Sequence, residues 1–514
     1  MRFSFHKIET LPRLAWCASM KRNSKEIDVF HGPWVETRES FFIEGAWDGS
    51  FAGGNFDTAD AFMGTGGKIV GDNVIFATPC HVLERLYAIT VKDSLKDSLF
   101  LSPSLVFLLK IAKCRLDINY IPYQVDLLKM ILKMDNHIGS IPTEGGNRVY
   151  VYHYRNLEIN SKLEIRITNK KEPPDFKNFE LYKRFLIEKL ISLHNNANSP
   201  DRKITYSPLS MLSSGYDSPA CTVIAMEIGC KDAVSFRTAR PEKSNEEGPE
   251  DSGKRIADIL GINIKEYDRL EVLRKKGMPE AEFVASGDLG QDFEISILED
   301  ILRQKLVIVG YHGDVVWKRY AKDVKKDIIR HEYGGAGWID FKFRVGYIFV
   351  PLPFVGCLSH PSIHKITISK EMEPWCVWTN YDRPIARQIV EEKGVDRNLF
   401  GQHKKAISVL LNHHEKMLSR MNPQSAQSFE KFYQTHKQRR SRLKQIFYNV
   451  MYSLYRLHLF VFAKPNHFFD KLNLPLNIPA PIPDRFTQSP GRPSFLVHWG
   501  TAIIENRYEI DNIQ

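Results

Sequence analysis

Short apolar runs broken by glycine dominate the chain from Phe41 to Leu109: FFIEGAWDGSFAGGNF, then GGKIVGDNVIFATP, then LFLSPSLVFLL. Aromatic and β-branched runs of this length, punctuated by turn residues, predict a β-rich first domain over 1–195, with turns at Asp48-Gly49 and Gly66-Gly67. HNNANSP, around Asn195–Pro200, reads as the linker that closes it.

Beyond it the pattern changes to strand and helix in alternation. A strand is expected over Ile204–Leu212, a helix over Ala220–Ile228 and a strand over Ala233–Arg237. A helix then runs over Asp251–Leu260, with Asp251 as N-cap and Gly261 as its stop, followed by a strand over Ile262–Tyr267. LVIVG (Leu306–Gly310) is the kind of run buried in a parallel sheet. The expectation for 201–415 is an α/β domain with a parallel nucleotide-binding sheet, its ligand at the carboxyl ends of the strands. From about Ser408 the chain turns helical and basic, so 416–514 is read as a helical C-terminal region. It ends in the Pro-rich LPLNIPAPIPDR and an apolar, strand-like FLVHWGTAII.

Hydrophobic residues are 43% and charged residues 26% of 514, which excludes wholesale disorder and a membrane bundle and suits two or three domains. A formal charge of +10 fits an anionic partner, ATP included, without selecting nucleic acid. Seven scattered cysteines with no Cys-x-x-Cys pair argue against a disulfide framework, a zinc ribbon or an iron–sulfur cluster and point to a reducing, cytoplasmic setting. Met1–Trp16 lacks the continuous apolar stretch of a secretory signal. Ile446–Phe462 is apolar but interrupted by Arg456 and His458, which favours a core or interface helix over a membrane span. Lys437–Lys444 reads first as a solvated helix face and second as an RNA-binding one.

The chemistry concentrates in Leu212–Ala220, LSSGYDSPA. Small residues after a strand let successive N–H groups turn toward one point, and the following helix adds its positive end, so an anion is the natural guest. The Asp217 carboxylate would repel a phosphate unless a divalent cation lay between them. On these residues alone, a Ser- or Asp-capped helix start accounts for the turn equally well. SSGYDS, however, resembles the SGGxDS signature of the N-type ATP pyrophosphatases, which include asparagine synthetase, β-lactam synthetase, GMP synthetase and NAD synthetase. LVIVGYHGDVVW (Leu306–Trp317) resembles the second, Asp-bearing turn of the asparagine synthetase type, and YDRPIARQIVEEKGVDRNLFGQHKKA (Tyr381–Ala406) its C-terminal portion.

The resemblance implies an adenine nucleotide alpha hydrolase-like domain. Ser213, Ser214, Gly215, Tyr216, Asp217, Ser218, Gly310 and Gly313 would bind ATP and its pyrophosphate, Asp217 and Asp314 would hold Mg2+, and Lys405, or else Lys404, would act at the reacting phosphate. The implied reaction is adenylation of a small-molecule carboxylate, then displacement of AMP by an amine or ammonia. Two alternatives stay open: a tRNA-modifying enzyme with the same loop, and a non-catalytic nucleotide-binding or scaffolding protein. Bland readings also stand beside these residues: Lys404 and Lys405 as surface charges, Asp314 as a turn residue, and Arg383 and Arg387 as partners of Glu391 and Glu392. Phe341–Trp375 is expected to line the substrate cleft. His360 and His364 have ligand spacing, but Pro361 opposes a helix there, which disfavours zinc.

The pattern departs from the family at three points. Arg2 stands where a glutaminase domain of this family has its nucleophilic Cys, so the first domain is read as a degenerate glutaminase-like scaffold; Cys80-His81 is no substitute, because adjacent side chains point apart. Ser214 replaces a glycine of the signature, and Val315 follows Asp314 where Glu is usual.

Overall fold

The structure, a computed structural model, describes residues 1–92, 97–132, 134, 139–239, 248–290, 292–330, 333–403, 405, 411, 417–458, 461 and 486–510. It is a mixed α/β protein built on three sheets.

Two of the sheets form the N-terminal part. A seven-stranded sheet and a six-stranded sheet face each other across a shared apolar layer that includes Trp16, Ala18 and Met20 from one and Phe42, Val74 and Phe76 from the other. The i, i+2 spacing of Trp16, Ala18 and Met20 on strand Trp16–Lys21 is the period-2 signature of one buried face. Gly66-Gly67 is not a turn: both residues lie inside strand Phe62–Val70, opposite Phe42 and Ile43. A Cβ on Gly66 would stand 2.4 Å from the Phe42 carbonyl oxygen, so glycine is there for close approach of two backbones.

The expected linker is also corrected. Asn195, Asn196 and Ala197 are the last residues of helix Phe179–Ala197, and the Asn196 side chain donates to the Gly49 carbonyl at 2.7 Å, tying the helix end to the sandwich.

The third sheet has five parallel strands, here β1 (Ser207–Met211), β2 (Asp232–Phe236), β3 (Asn263–Tyr267), β4 (Lys305–Val309) and β5 (Ile348–Pro351), in the order β3-β2-β1-β4-β5. Leu306–Val309 is fully buried, as expected of a strand covered on both faces. Helix α1 (Asp217–Met226) follows β1 and helix α2 (Lys254–Leu260) follows β2. α2 stops at Gly261 in the left-handed conformation, but its N-cap is Gly253 and not Asp251.

FLVHWGTAII, expected to be strand-like, forms helix Leu496–Ile504. The apolar stretch from Ile446, expected as a core or interface helix, lies on helix Arg442–His458, whose Ile446, Phe447, Val450 and Leu454 are exposed, which removes the core alternative and leaves the interface one. Among the described residues no helix is long and apolar enough to cross a membrane.

The N-terminal sheets and the parallel sheet are locked together by charge as well as packing. Lys342, 1% exposed, places its ammonium 2.9 Å from Glu44 and 2.5 Å from Glu84, both carboxylates of the N-terminal part. Three buried charges in mutual contact are stable only as a set, because removing one leaves the others desolvated and unpaired.

Candidate functional site

β1 ends at Met211 and the chain turns through Leu212–Tyr216 into α1; β4 ends at Val309 and turns through Gly310–His312 into the helical turn Gly313–Val316. β1 and β4 are neighbours at the point where strand order reverses, so both turns open at the carboxyl edge of the sheet into one crevice. Their contact is close because two glycines permit it. A Cβ on Gly310 would lie 2.7 Å from the main-chain carbon of Asp217, and one on Gly313 would lie 2.6 Å from the Asp217 carboxyl carbon. Two segments that are remote in sequence thus meet at Asp217.

Within the first turn the donors converge. The Ser213 amide donates to Ser218 Oγ at 3.0 Å, the two hydroxyls are 2.8 Å apart, and the Gly215 amide donates to Ser213 Oγ at 3.2 Å. These groups satisfy one another here; the two hydroxyls can rotate toward an anion, whereas the amides keep the direction that the backbone gives them.

Ser214 points the other way. Its hydroxyl donates to Asp251 Oδ1 at 2.8 Å and accepts from Lys405 Nζ at 2.9 Å, while its carbonyl accepts from the Gly401 amide at 2.9 Å. Ser214 does not have positive φ, so the turn asks for no glycine there. Asp251, expected as a helix cap, is instead the partner of this serine. Burial pushes its carboxyl up from the ordinary range, with Ser214 and Lys405 opposing.

Lys405 is no free surface charge: its ammonium also donates to the Glu250 carbonyl and stands 4.0 Å from the Asp251 carboxylate. Lys404 lies outside the described residues.

Tyr216 anchors the turn rather than reaching outward. Its hydroxyl accepts from Arg387 at 2.5 Å and donates to the Tyr381 carbonyl at 3.3 Å, and its ring lies under Arg383 and Arg387. Both arginines flank helix α3 (Pro384–Glu391) or lie on it, and Arg387 pairs with Glu391 at 2.9 Å as its i, i+4 spacing predicts. Arg383 does not follow that spacing. It stands just before α3 as its N-cap, so its side chain turns from the helix face to the Asp217 carboxylate and forms an ion pair. Burial pulls the Arg383 guanidinium down, and Asp217, Tyr381 and Asp314 more than offset it, so the group is raised overall. Arg383 therefore lies in the field of both aspartates.

These groups border a cavity of about 250 Å³. Its lining includes Ser213, Gly215, Ser218, Arg383 and Lys405 with the aspartates Asp217, Asp251 and Asp314, and Asp292 and Glu294, two residues apart in the chain, add a further acidic wall segment, with Phe236 and Ile295 among the apolar lining. The acidic wall is a part of the site that sequence reading missed. QDFEISILED puts carboxylates between apolar residues, the one local hint that they are buried. Asp292 accepts from the Tyr311 hydroxyl at 3.0 Å and the Gly335 amide at 2.7 Å, and burial raises it to about 6.

The segment Phe341–Trp375 contributes no lining residue. Phe341, Phe343 and Phe349 are spent on the hydrophobic core, and Phe354 sits one layer back, stacked 4.3 Å from the ring of His312. Pro361 does not prevent a helix at His360–Thr367, because it falls in the first turn, where the missing N–H costs nothing. The two histidine rings are 6.1 Å apart, and burial lowers His360 to about 4.

Among the described residues no group of three or more His, Cys, Asp and Glu is arranged to hold a metal. Asp217 and Asp314 both line the cavity and both act on Arg383, with which Asp217 is ion-paired. Neither a protein-family model nor a curated protein matches the chain.

Proposed function

We propose that the chain is an ATP-dependent ligase of the asparagine synthetase type, which forms AMP and pyrophosphate while adenylating a carboxylate-like substrate for amide-type bond formation. The observation that carries this reading is the meeting of two turns, Ser213–Ser218 and Gly310–Asp314, with Asp217 seated against Gly310 and Gly313. The strand order β3-β2-β1-β4-β5 supports the finer reading of the sheet as an adenine nucleotide alpha hydrolase-like domain. The two-sheet N-terminal part is then a glutaminase-like scaffold without its nucleophile, and the amine would come from a small molecule or free ammonia.

In this reading the hydroxyls of Ser213 and Ser218 turn from each other to the pyrophosphate oxygens. Asp217 and Asp314 would hold Mg2+, which would supply positive charge to the departing pyrophosphate. Arg383, paired with Asp217 in this structure, would stand beside the cation as a donor to a phosphate oxygen. Lys405, in the same cavity lining and fixed by Ser214, stabilises charge that develops in adenylyl transfer. Ser214 departs from the family signature without disabling the loop, since its hydroxyl orients Lys405.

The test is pyrophosphate release from MgATP in the presence of fractionated metabolite extracts, with Asp217→Asn as the blank. Turnover by the wild type and none by the variant, at unchanged circular dichroism and melting temperature, is the expected outcome. Equal product from Asp217→Asn refutes the metal assignment. Nucleotide binding without turnover across all fractions favours the non-catalytic alternative.

A further inference from the structure

The function just proposed leaves two acidic residues of the cavity lining, Asp292 and Glu294, without a role. Glu294 is 1% exposed, lines the cavity, and receives a hydrogen bond at neither carboxylate oxygen from any other described residue. Its nearest cation is the Arg269 guanidinium at 3.9 Å, beyond hydrogen-bonding distance. A buried acceptor left in this state is costly, and a donor-bearing ligand would remove the cost. Asp292, two residues earlier, lines the same wall and is held in orientation by Tyr311 and Gly335. Tyr311 follows Gly310 on the β4 turn, so the acidic wall and the Asp314 turn are parts of one rigid loop system.

We infer that the Asp292–Glu294 wall is the subsite for the amine co-substrate, a primary amine bound as its ammonium. The inference rests on the reading of the Ser213–Ser218 turn as the seat of the nucleotide's phosphates. With the phosphates on the donors of Ser213, Gly215, Ser218 and Arg383, Asp292 and Glu294 are lining groups of the cavity of about 250 Å³ left for a further reactant. An anionic co-substrate would meet like charge there. A neutral one would leave Glu294 without a strong donor, whereas an ammonium brings three. Phe236 and Ile295 are apolar members of the same cavity lining, available to an alkyl stem. The electrostatics agree: burial raises Glu294 well above the carboxylate range, Arg269 only partly opposing, with Asp292 and Asp288 pushing the same way.

The test uses the full-length protein and three probes of similar shape, butylammonium, butan-1-ol and butyrate, each titrated calorimetrically with and without MgATP. Butylammonium is expected to bind, the alcohol to bind at least tenfold more weakly, butyrate to bind independently of Glu294 at the carboxylate substrate's place, and Glu294→Gln to weaken butylammonium at least about tenfold. Butan-1-ol binding as tightly as butylammonium overturns the inference and needs no variant, so a Glu294→Gln protein that fails to fold does not rescue it. Wild-type amine affinity in a folded Glu294→Gln protein also overturns it, and leaves the nucleotide reading intact if MgATP still binds. Amine binding that Glu294→Gln removes, in a protein indifferent to MgATP, supports the acidic subsite and sinks the nucleotide reading.

Discussion

At Ser214 one hydroxyl decides whether a departure from a familiar signature is damage or design. It joins Asp251 to Lys405, and both contacts vanish in Ser214→Gly, the change that puts in the glycine of the signature this turn resembles. With no positive φ to relieve, the glycine gains nothing from its freedom. The variant should lose about 1 kcal/mol of stability, the net worth of a hydrogen bond of this kind, and urea unfolding against wild type measures it. A variant as stable as the wild type would mean that the hydroxyl contributes nothing to holding the turn. Much of the site was legible at this scale because its members share short motifs: Ser213–Ser218 in one, Gly310–Asp314 in another. Asp292, Glu294 and the Arg383–Asp217 pair were not legible, because each depends on which distant segments face each other and no local spacing records that.

At the scale of elements, the alternating α/β segments were readable from Ile204 onward, since strands buried on both faces and helices ending in glycine leave strong local marks. Gly261 stops α2 where expected. Reading failed where a segment is apolar all round. FLVHWGTAII has no polar face, so neither period shows, and it is a helix because Gly500 lets it lie against helix Glu280–Ala285, where a Cβ would come within 2.7 Å of the Ala281 carbonyl oxygen. The same ambiguity misread Gly66-Gly67, for a glycine pair serves a turn and a tight strand crossing alike. Gly66→Ala separates the two. In an exposed turn the added methyl would be nearly neutral, but here it must displace the Phe42 carbonyl oxygen from 2.4 Å. A loss of about 1–3 kcal/mol in denaturant unfolding is expected, the usual cost of forcing an extra methyl into a packed interior.

Over the whole molecule, charge joins what sequence order separates, and none of that joining is visible along the chain. Arg344 follows from its helix, Trp338–Val345, to two carboxylates: Glu282 at 2.5 Å through Nε and Glu299 at 3.0 Å through Nη2. Arg507, from near the C-terminal end of the described chain, adds a second cation on Glu282. Glu299 is the member whose titration gives the network away. Burial alone would raise its carboxyl, but hydrogen bonds and charge from Arg344 and then Lys275 outweigh it and bring it down to about 2, against 4.5 for the ordinary group. A folded-state value below the unfolded one means that the unfolded chain takes up the proton first as pH falls. The contribution of Glu299 is therefore whole above about pH 4.5 and drains away as pH drops toward about 2. Glu299→Gln has nothing to lose over that interval. Its stability deficit relative to wild type should be constant from pH 8 to pH 5 and should shrink at pH 4 and again at pH 3, read from urea unfolding at each pH. A deficit that keeps the same size at pH 3 would show that Glu299 acts through packing and not through its charge on Arg344.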